Sequence, residues 1–241
     1  MRHLRSLLFN IYFPLWTAIV VLGFLPRAPF SRPHELRALA AFWQRGVQWG
    51  LRRIVGLGYE ATGLENIPKG PVVFASKHQS AWDTVFINTV RRDTVIGLKE
   101  ELTRIFLFGW YLKLGDNIVI DRKGAAKAMR SLIQGTKRAV AQGNSIMIFP
   151  EGTRTAPGAP PDYRPGIAAL YRELGVPVVP VALNSGLFWG RRSFTKKPGT
   201  IRVRFLPPIE PGLERKAFMA LLEERIETAV AGLPPPPKGP G

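Results

Sequence analysis

The sequence predicts an α/β domain, a mixed β-sheet flanked by helices, preceded by an N-terminal helical membrane anchor. Three features carry this expectation: seven short apolar runs, helical periodicity between and after them, and an apolar opening followed by a basic amphipathic stretch. Strands that alternate with helices pack as a sheet between helical layers. The 241 residues suffice for one sizeable core and an appendage. The expected division is membrane-anchoring helices over 1–57, the α/β domain over 58–232 and a disordered Pro/Gly-rich tail over 233–241.

Residues 7–25 form an apolar run broken by Asn10, Pro14 and Thr17. As a helix rising ~1.5 Å per residue it covers just under ~30 Å, a borderline membrane span, with a kink expected at Pro14. A cleaved signal peptide is disfavoured, because no small-x-small site precedes Arg27 and the next segment is strongly basic. Pro33 after Ser31 marks the start of a second helix. Leu36, Leu39, Ala40, Trp43, Val47, Leu51 and Ile54 share one face, with Arg37, Arg45, Gln48 and Arg52 largely opposite. With Phe42, Trp43 and Trp49 this reads as an interfacial membrane helix; the alternative is a helix packed on the domain core. Arginines 27, 32, 37, 45, 52 and 53 outweigh Arg2 and Arg5. The positive-inside rule therefore places the bulk of the chain in the cytosol. Whether the first helix spans the bilayer or re-enters is left open.

Strands are expected over 59–62, 72–76, 94–97, 118–120, 145–149, 178–182 and 201–205. Between them, 125–142 carries Met129, Leu132, Ile133, Thr136 and Val140 on one helical face and stops at Gly143. A closing helix is expected over 214–231.

The net charge of +17 implies an anionic partner: nucleic acid, an acidic membrane face or a phosphorylated substrate. The absence of cysteine excludes disulfides, thiolate zinc sites and a cysteine nucleophile. His78 follows the 72–76 run, and Asp83 lies five residues on. Within one straight helix that spacing points the two side chains ~140° apart. A strand–turn–helix geometry would instead fold His78 back onto Asp83, leaving the second imidazole nitrogen as a base. The alternative is a helix-start aspartate beside an incidental loop histidine, and the pair alone leaves both readings open. Phe149-Pro150-Glu151-Gly152-Thr153-Arg154 follows the 145–149 run and presents Glu, Thr and Arg together at a strand exit. The planar fork of arginine suits a phosphate.

With both pieces in view the sequence resembles the 1-acylglycerol-3-phosphate O-acyltransferase family of glycerolipid acyltransferases. The family's His-x-x-x-x-Asp block is matched by His78 to Asp83, and its Gly-led strand ending in Arg by Gly115 to Arg122. Its Phe-Pro-Glu-Gly-Thr-Arg block is identical at Phe149 to Arg154, and its proline-containing apolar strand is matched by Val176 to Val181. Lys77 stands where many members have Asn, and Asn117 and Val119 where bulkier residues are frequent. The resemblance implies transfer of an acyl group from acyl-CoA or acyl-carrier protein, as co-substrate, to the sn-2 hydroxyl of 1-acylglycerol 3-phosphate, giving phosphatidate. It implies His78 as base, Asp83 as its orienting partner, and Arg122, Glu151, Gly152, Thr153 and Arg154 as acceptor-binding residues. Lys99 is a weaker candidate for the same task. No metal and no further cofactor are expected.

The expected partners are a lysophospholipid, an acyl thioester and an anionic membrane surface, without nucleic acid; oligomeric state is open. No Gly-x-Ser-x-Gly elbow occurs, so the substrate hydroxyl itself is the expected nucleophile. Related members acylate other lyso-lipids, including lyso-ornithine lipid, which keeps a second acceptor open. A basic nucleic-acid-binding protein would explain the charge but neither the apolar opening nor the four blocks.

Overall fold

The computed structural model describes residues 1–120 and 125–234 and, of Lys99, Ile120 and 125–127, the backbone alone. Two helices open the chain: α1 (Arg2–Phe24), continuous through Pro14, and α2 (Pro33–Gly50), which runs on through a π-turn at Leu51–Val55. Then follow β1 (Leu57–Thr62), β2 (Val73–Ser76), α3 (Ile87–Val90), β3 (Thr94–Lys99), α4 (Phe108–Leu114) and β4 (Ile118–Ile120). The chain continues with α5 (Ala125–Ala141), β5 (Ser145–Ile148), α6 (Gly166–Leu174), β6 (Val178–Leu183), β7 (Gly199–Phe205) and α7 (Arg215–Ala231). All seven expected strands are present. Gly143, in the left-handed region at φ 80°, closes the turn after α5 as its position suggested. Of the expected tail, Leu233 and Pro234 are described, and the Pro234 carbonyl accepts a hydrogen bond from Asn184 Nδ2 at 3.2 Å. The rest of 233–241 lies outside the described residues.

The strands form one sheet in the order β1-β7-β6-β2-β5-β3-β4. Among the described residues β6–β7 is the antiparallel pair, and every other neighbouring pair is parallel. The sheet is therefore mixed, and β6, β2, β5, β3 and β4 deliver their C-terminal ends to one edge. Every residue of β2, β5 and β6 is buried, which is why these segments read as unbroken apolar runs rather than alternating ones. Phe74 joins the cluster under the N-terminal helices, while Val73 and Ala75 join the one under α5, α6 and α7. That split is the period-two alternation of a strand.

α1 and α2 cross closely. Tyr12 Oη donates to Gly46 O at 2.9 Å, and Trp16 Nε1 donates to Trp43 O at 2.9 Å. A Cβ at Gly46 would sit 2.1 Å from the Trp16 ring, and one at Gly50 2.2 Å from Tyr12, so this approach requires glycine at both positions. Phe9 of α1 and Val47 and Leu51 next to it share one core cluster with strand residues Leu57, Phe74 and Ile201. The opposite face of α1 is bare, with Leu4, Leu7, Leu8, Ile11, Leu15, Ile19 and Leu22 all exposed. The helix is long and apolar enough to cross a membrane, and 17% of its most apolar window is buried.

α2 departs from the expected division of its faces. Gln48, assigned to the outer face, accepts from Trp82 Nε1 at 2.8 Å and donates to Val85 O at 2.8 Å. Gln44 is buried and exchanges two hydrogen bonds with Asn88. Arg37 is half-buried, and burial lowers its pKa despite the opposing pull of Asp116 and Asp93. The physical reason is that α2 lies between α1 and α3, so a second, polar stripe is enclosed as well. Phe42 and Trp49 do face outward.

The segment linking β6 to β7 clamps α1. Lys196 Nζ donates to Phe194 O at 3.0 Å and to Asn10 Oδ1, 4.8 Å from the centroid of the Trp189 ring. The Lys196 amide donates to Ser6 Oγ at 3.0 Å. Burial lowers the Lys196 pKa to about 8, whereas an unfolded lysine titrates near ~10.4. Between these values the unfolded chain binds more protons than the folded one, so this group's contribution makes stability rise with pH from about 8 to ~10.4. Thermal melting across that range should show the rise, and Lys196→Met should flatten it.

Candidate active site

The chain leaves β2 at Ser76, and the next residues form a tight turn before the one-turn 3-10 helix Ala81–Thr84. Ser80 caps that helix: its Oγ accepts from Trp82 N at 3.1 Å, while its own amide donates to Asp83 Oδ2 at 2.8 Å. This is a capping box in which the acid is Asp83. The same Oδ2 accepts from Gln79 N at 2.7 Å and lies 2.9 Å from His78 Nδ1. His78 and Asp83 therefore meet through the turn, the geometry that a straight helix forbids.

The contact defines the imidazole. A carboxylate oxygen already accepting two amides is an acceptor, so Nδ1 carries the proton and a neutral ring leaves its lone pair on Nε2. Among the described residues Nε2 has no hydrogen-bond partner. Asp83 is fully buried, while the His78 side chain keeps 14% exposure. Phe149 stacks on the imidazole with centroids 3.8 Å apart and forms an apolar wall. The arrangement is an oriented base with one open nitrogen beside solvent.

The Phe149–Arg154 block leaves β5, which lies beside β2 in parallel register with Ala75 opposite Ile148. Glu151 turns inward. Its Oε2 accepts from the His78 amide at 3.0 Å, and its Oε1 accepts from Thr155 Oγ1 at 2.8 Å and pairs with Lys77 Nζ at 2.7 Å. With 1% side-chain exposure it holds the His78 backbone from behind. Thr155 N donates to His78 O at 2.8 Å, which brings Arg154 within one residue of that contact. Thr153 and Arg154 are partly exposed, and among the described residues no carboxylate pairs with the Arg154 guanidinium. Gly152 lies exposed in the same loop. Lys99 closes β3, its backbone opposite Ile120 at the end of β4. Arg122 lies outside the described residues.

Lys77 carries a buried network that the motif alone does not reveal. Its ammonium also pairs with Glu227 of α7 at 2.8 Å, and Tyr163 Oη donates to the same Glu227 oxygen at 2.8 Å. Burial pulls the Lys77 pKa down, but the hydrogen bonds and charges of Glu151 and Glu227 outweigh it and leave it raised. Burial and the neighbouring carboxylates push the Tyr163 phenol up.

Residues 58–184, which contain the His78 turn and the Glu151 loop, match the family described as Acyltransferase. The chain belongs to that family. It is 36% identical over 235 residues to the 1-acyl-sn-glycerol-3-phosphate acyltransferase of Pseudomonas aeruginosa, covering 95% of this chain and 90% of the relative. It is 30% identical over 158 residues to the enzyme of that name from Limnanthes alba, covering 65% of this chain and 56% of that longer relative. The crystal structure of the 1-acyl-sn-glycerophosphate (LPA) acyltransferase PlsC from Thermotoga maritima superposes with a TM-score of 0.73 at 23% identity. The likeness covers 96% of this chain and 97% of that one, so the fold is shared from the N-terminal helices onward.

In this acyltransferase several contacts at the site are not assigned from the motifs. Phe149 opens the block and Thr155 follows it; both touch His78, and a reading of strand-exit neighbours reaches them. Glu227 lies 150 residues from Lys77 and has no local signal. Replacing Lys77 by Met would leave two carboxylates without their cation. We expect a loss of about 3–5 kcal/mol, the usual cost of breaking a buried pair from one side, measured by chemical denaturation. Lys77→Met/Glu151→Gln should recover part of it.

Proposed function

We propose that this protein transfers an acyl group from a thioester donor, acyl-CoA or acyl-carrier protein, to the sn-2 hydroxyl of 1-acylglycerol 3-phosphate. The carrying observation is the His78–Asp83 contact with Nε2 open at the C-terminal edge of the sheet. The names of the relatives point to the same acceptor. His78 Nε2 takes the hydroxyl proton as the acceptor oxygen attacks the thioester carbonyl, and Asp83 stabilises the imidazolium. Collapse of the tetrahedral intermediate forms the ester and expels the thiolate, which recovers the proton from Nε2. Arg154, whose guanidinium is matched to no carboxylate among the described residues, is the residue proposed for the acceptor phosphate, with Arg122 as its partner by resemblance. Thr153, Gly152 and Lys99 are proposed as further contacts. Glu151 holds the His78 amide in place.

The bare face of α1, with Phe42 and Trp49 of α2, is the surface proposed to seat the enzyme on a bilayer. An apolar helix serving only as a soluble core would be mostly covered. The net charge of +17 favours an anionic leaflet and an anionic donor. We propose the cytosolic side of the cytoplasmic membrane, from the arginines that follow α1.

Detergent-purified protein supplied with radiolabelled acyl-CoA and either 1-acylglycerol 3-phosphate or lyso-ornithine lipid tests this reading. We expect phosphatidate, with His78→Ala lowering kcat by at least ~10²–10⁴-fold. Labelled product from lyso-ornithine lipid alone would overturn the acceptor, and full activity in His78→Ala would overturn the mechanism. Arg154→Ala should raise KM for the phosphate-bearing acceptor by about 10–100-fold, since a charge-assisted contact is lost, which initial-rate kinetics will show.

A further inference from the structure

Asp83 has a ligand that comes from neither the His78 turn nor the Glu151 loop. Its Oδ2 is filled by His78 Nδ1 and the Gln79 and Ser80 amides, and its Oδ1 accepts from Ser185 Oγ, a residue 102 positions away and itself fully buried. Ser185 follows β6, the parallel neighbour of β2, so its loop emerges beside the turn it reaches. It is held from several directions. The Ser185 carbonyl accepts from Phe188 N at 3.0 Å and Trp189 N at 2.9 Å, and Gly186 N donates to Gln79 Oε1 at 3.1 Å. The preceding Asn184 accepts from Arg202 N at 2.8 Å and donates to Pro234 O at 3.2 Å.

We propose that Ser185 is a positioning residue for the His78–Asp83 pair. This rests on the reading of His78 as the base. A buried Oδ1 without a donor is costly, and a turn about the Cβ–Cγ bond to find one would carry Oδ2 off its three donors. The Ser185 hydroxyl removes both problems: it satisfies Oδ1 and fixes the carboxylate plane that aims Oδ2 at Nδ1. Because Ser185 is buried and its proton is committed to Asp83, it does not carry the acyl group. Its effect belongs to kcat, through the orientation of the imidazole, and not to substrate affinity.

The test compares wild type with Ser185→Ala and Ser185→Thr in detergent. Ser185→Ala should lower kcat about ten-fold, the scale of one hydrogen bond to a charged group, with KM for acceptor and donor changed less than about two-fold. Ser185→Thr keeps the hydroxyl and should recover most of the rate. The chain has three histidines, so the Nδ1–H resonance of His78 can be assigned in ¹⁵N-histidine-labelled protein with His78→Ala as reference. That signal should be present in wild type and Ser185→Thr and be lost to exchange in Ser185→Ala. Unchanged kcat and a retained resonance in Ser185→Ala would overturn the proposal. Wild type that transfers no acyl group yet shows the resonance response would instead overturn the acyl-transfer reading and leave Ser185 as the anchor of Asp83.

Discussion

The end of the molecule that holds His78 depends on the need to satisfy one buried carboxylate. Asp83 has no access to water, and an ionised carboxyl in an apolar interior persists only when its acceptor sites are filled. Two are filled by the amides of the turn that Asp83 itself caps, one by the histidine and one by a serine from the next strand's loop. Filling Oδ2 with amides is what obliges Nδ1 to be the donor. The local fold of the turn and the tautomer of the imidazole are therefore the same fact, and neither could change without the other.

A second buried carboxylate repeats the device on the adjacent strand. β2 and β5 run parallel in register, spaced like any sheet neighbours at about 4.8 Å. Their exit loops emerge side by side, and Glu151 reaches across to the His78 amide while Thr155 returns a bond to the His78 carbonyl. The remaining charge of Glu151 is met by Lys77, whose other partner on α7 ties the last helix to the same loop. The histidine is thus gripped at its ring by one carboxylate and at its backbone by another. Such a site is rigid because each polar group in it would be expensive to leave unpaired.

How much of this is legible in the sequence follows from where the information sits. The strands are readable because β2, β5 and β6 are buried throughout and carry long apolar runs. His78, Asp83 and the Phe149–Arg154 block are readable because they are short-range patterns. Gln48 falls on the wrong side of α2 in a helical projection because polarity is a poor guide to exposure there. It is a half-buried donor and acceptor for Val85 and Trp82. The inward turn of Glu151 toward the His78 amide is not legible, because a motif names residues without saying which way they turn. Ser185 and Glu227 have no local signal, since what makes them matter is a partner more than a hundred residues away.

The loop between β6 and β7 joins these two scales. Near its start Ser185 reaches Asp83, and near its end Lys196 grips Asn10 and Ser6 of α1, with Trp189 edge-on to Phe9 and Phe13 between them. The same short segment therefore touches the dyad and the inner face of the helix whose outer face is apolar and bare. Because α1 is also locked to α2 at Gly46 and Gly50, it cannot swing without disturbing that loop. The distance from the apolar face to Nε2 of His78 is consequently a property of the folded chain. Any surface that receives α1 receives the His78 imidazole at a set height above it.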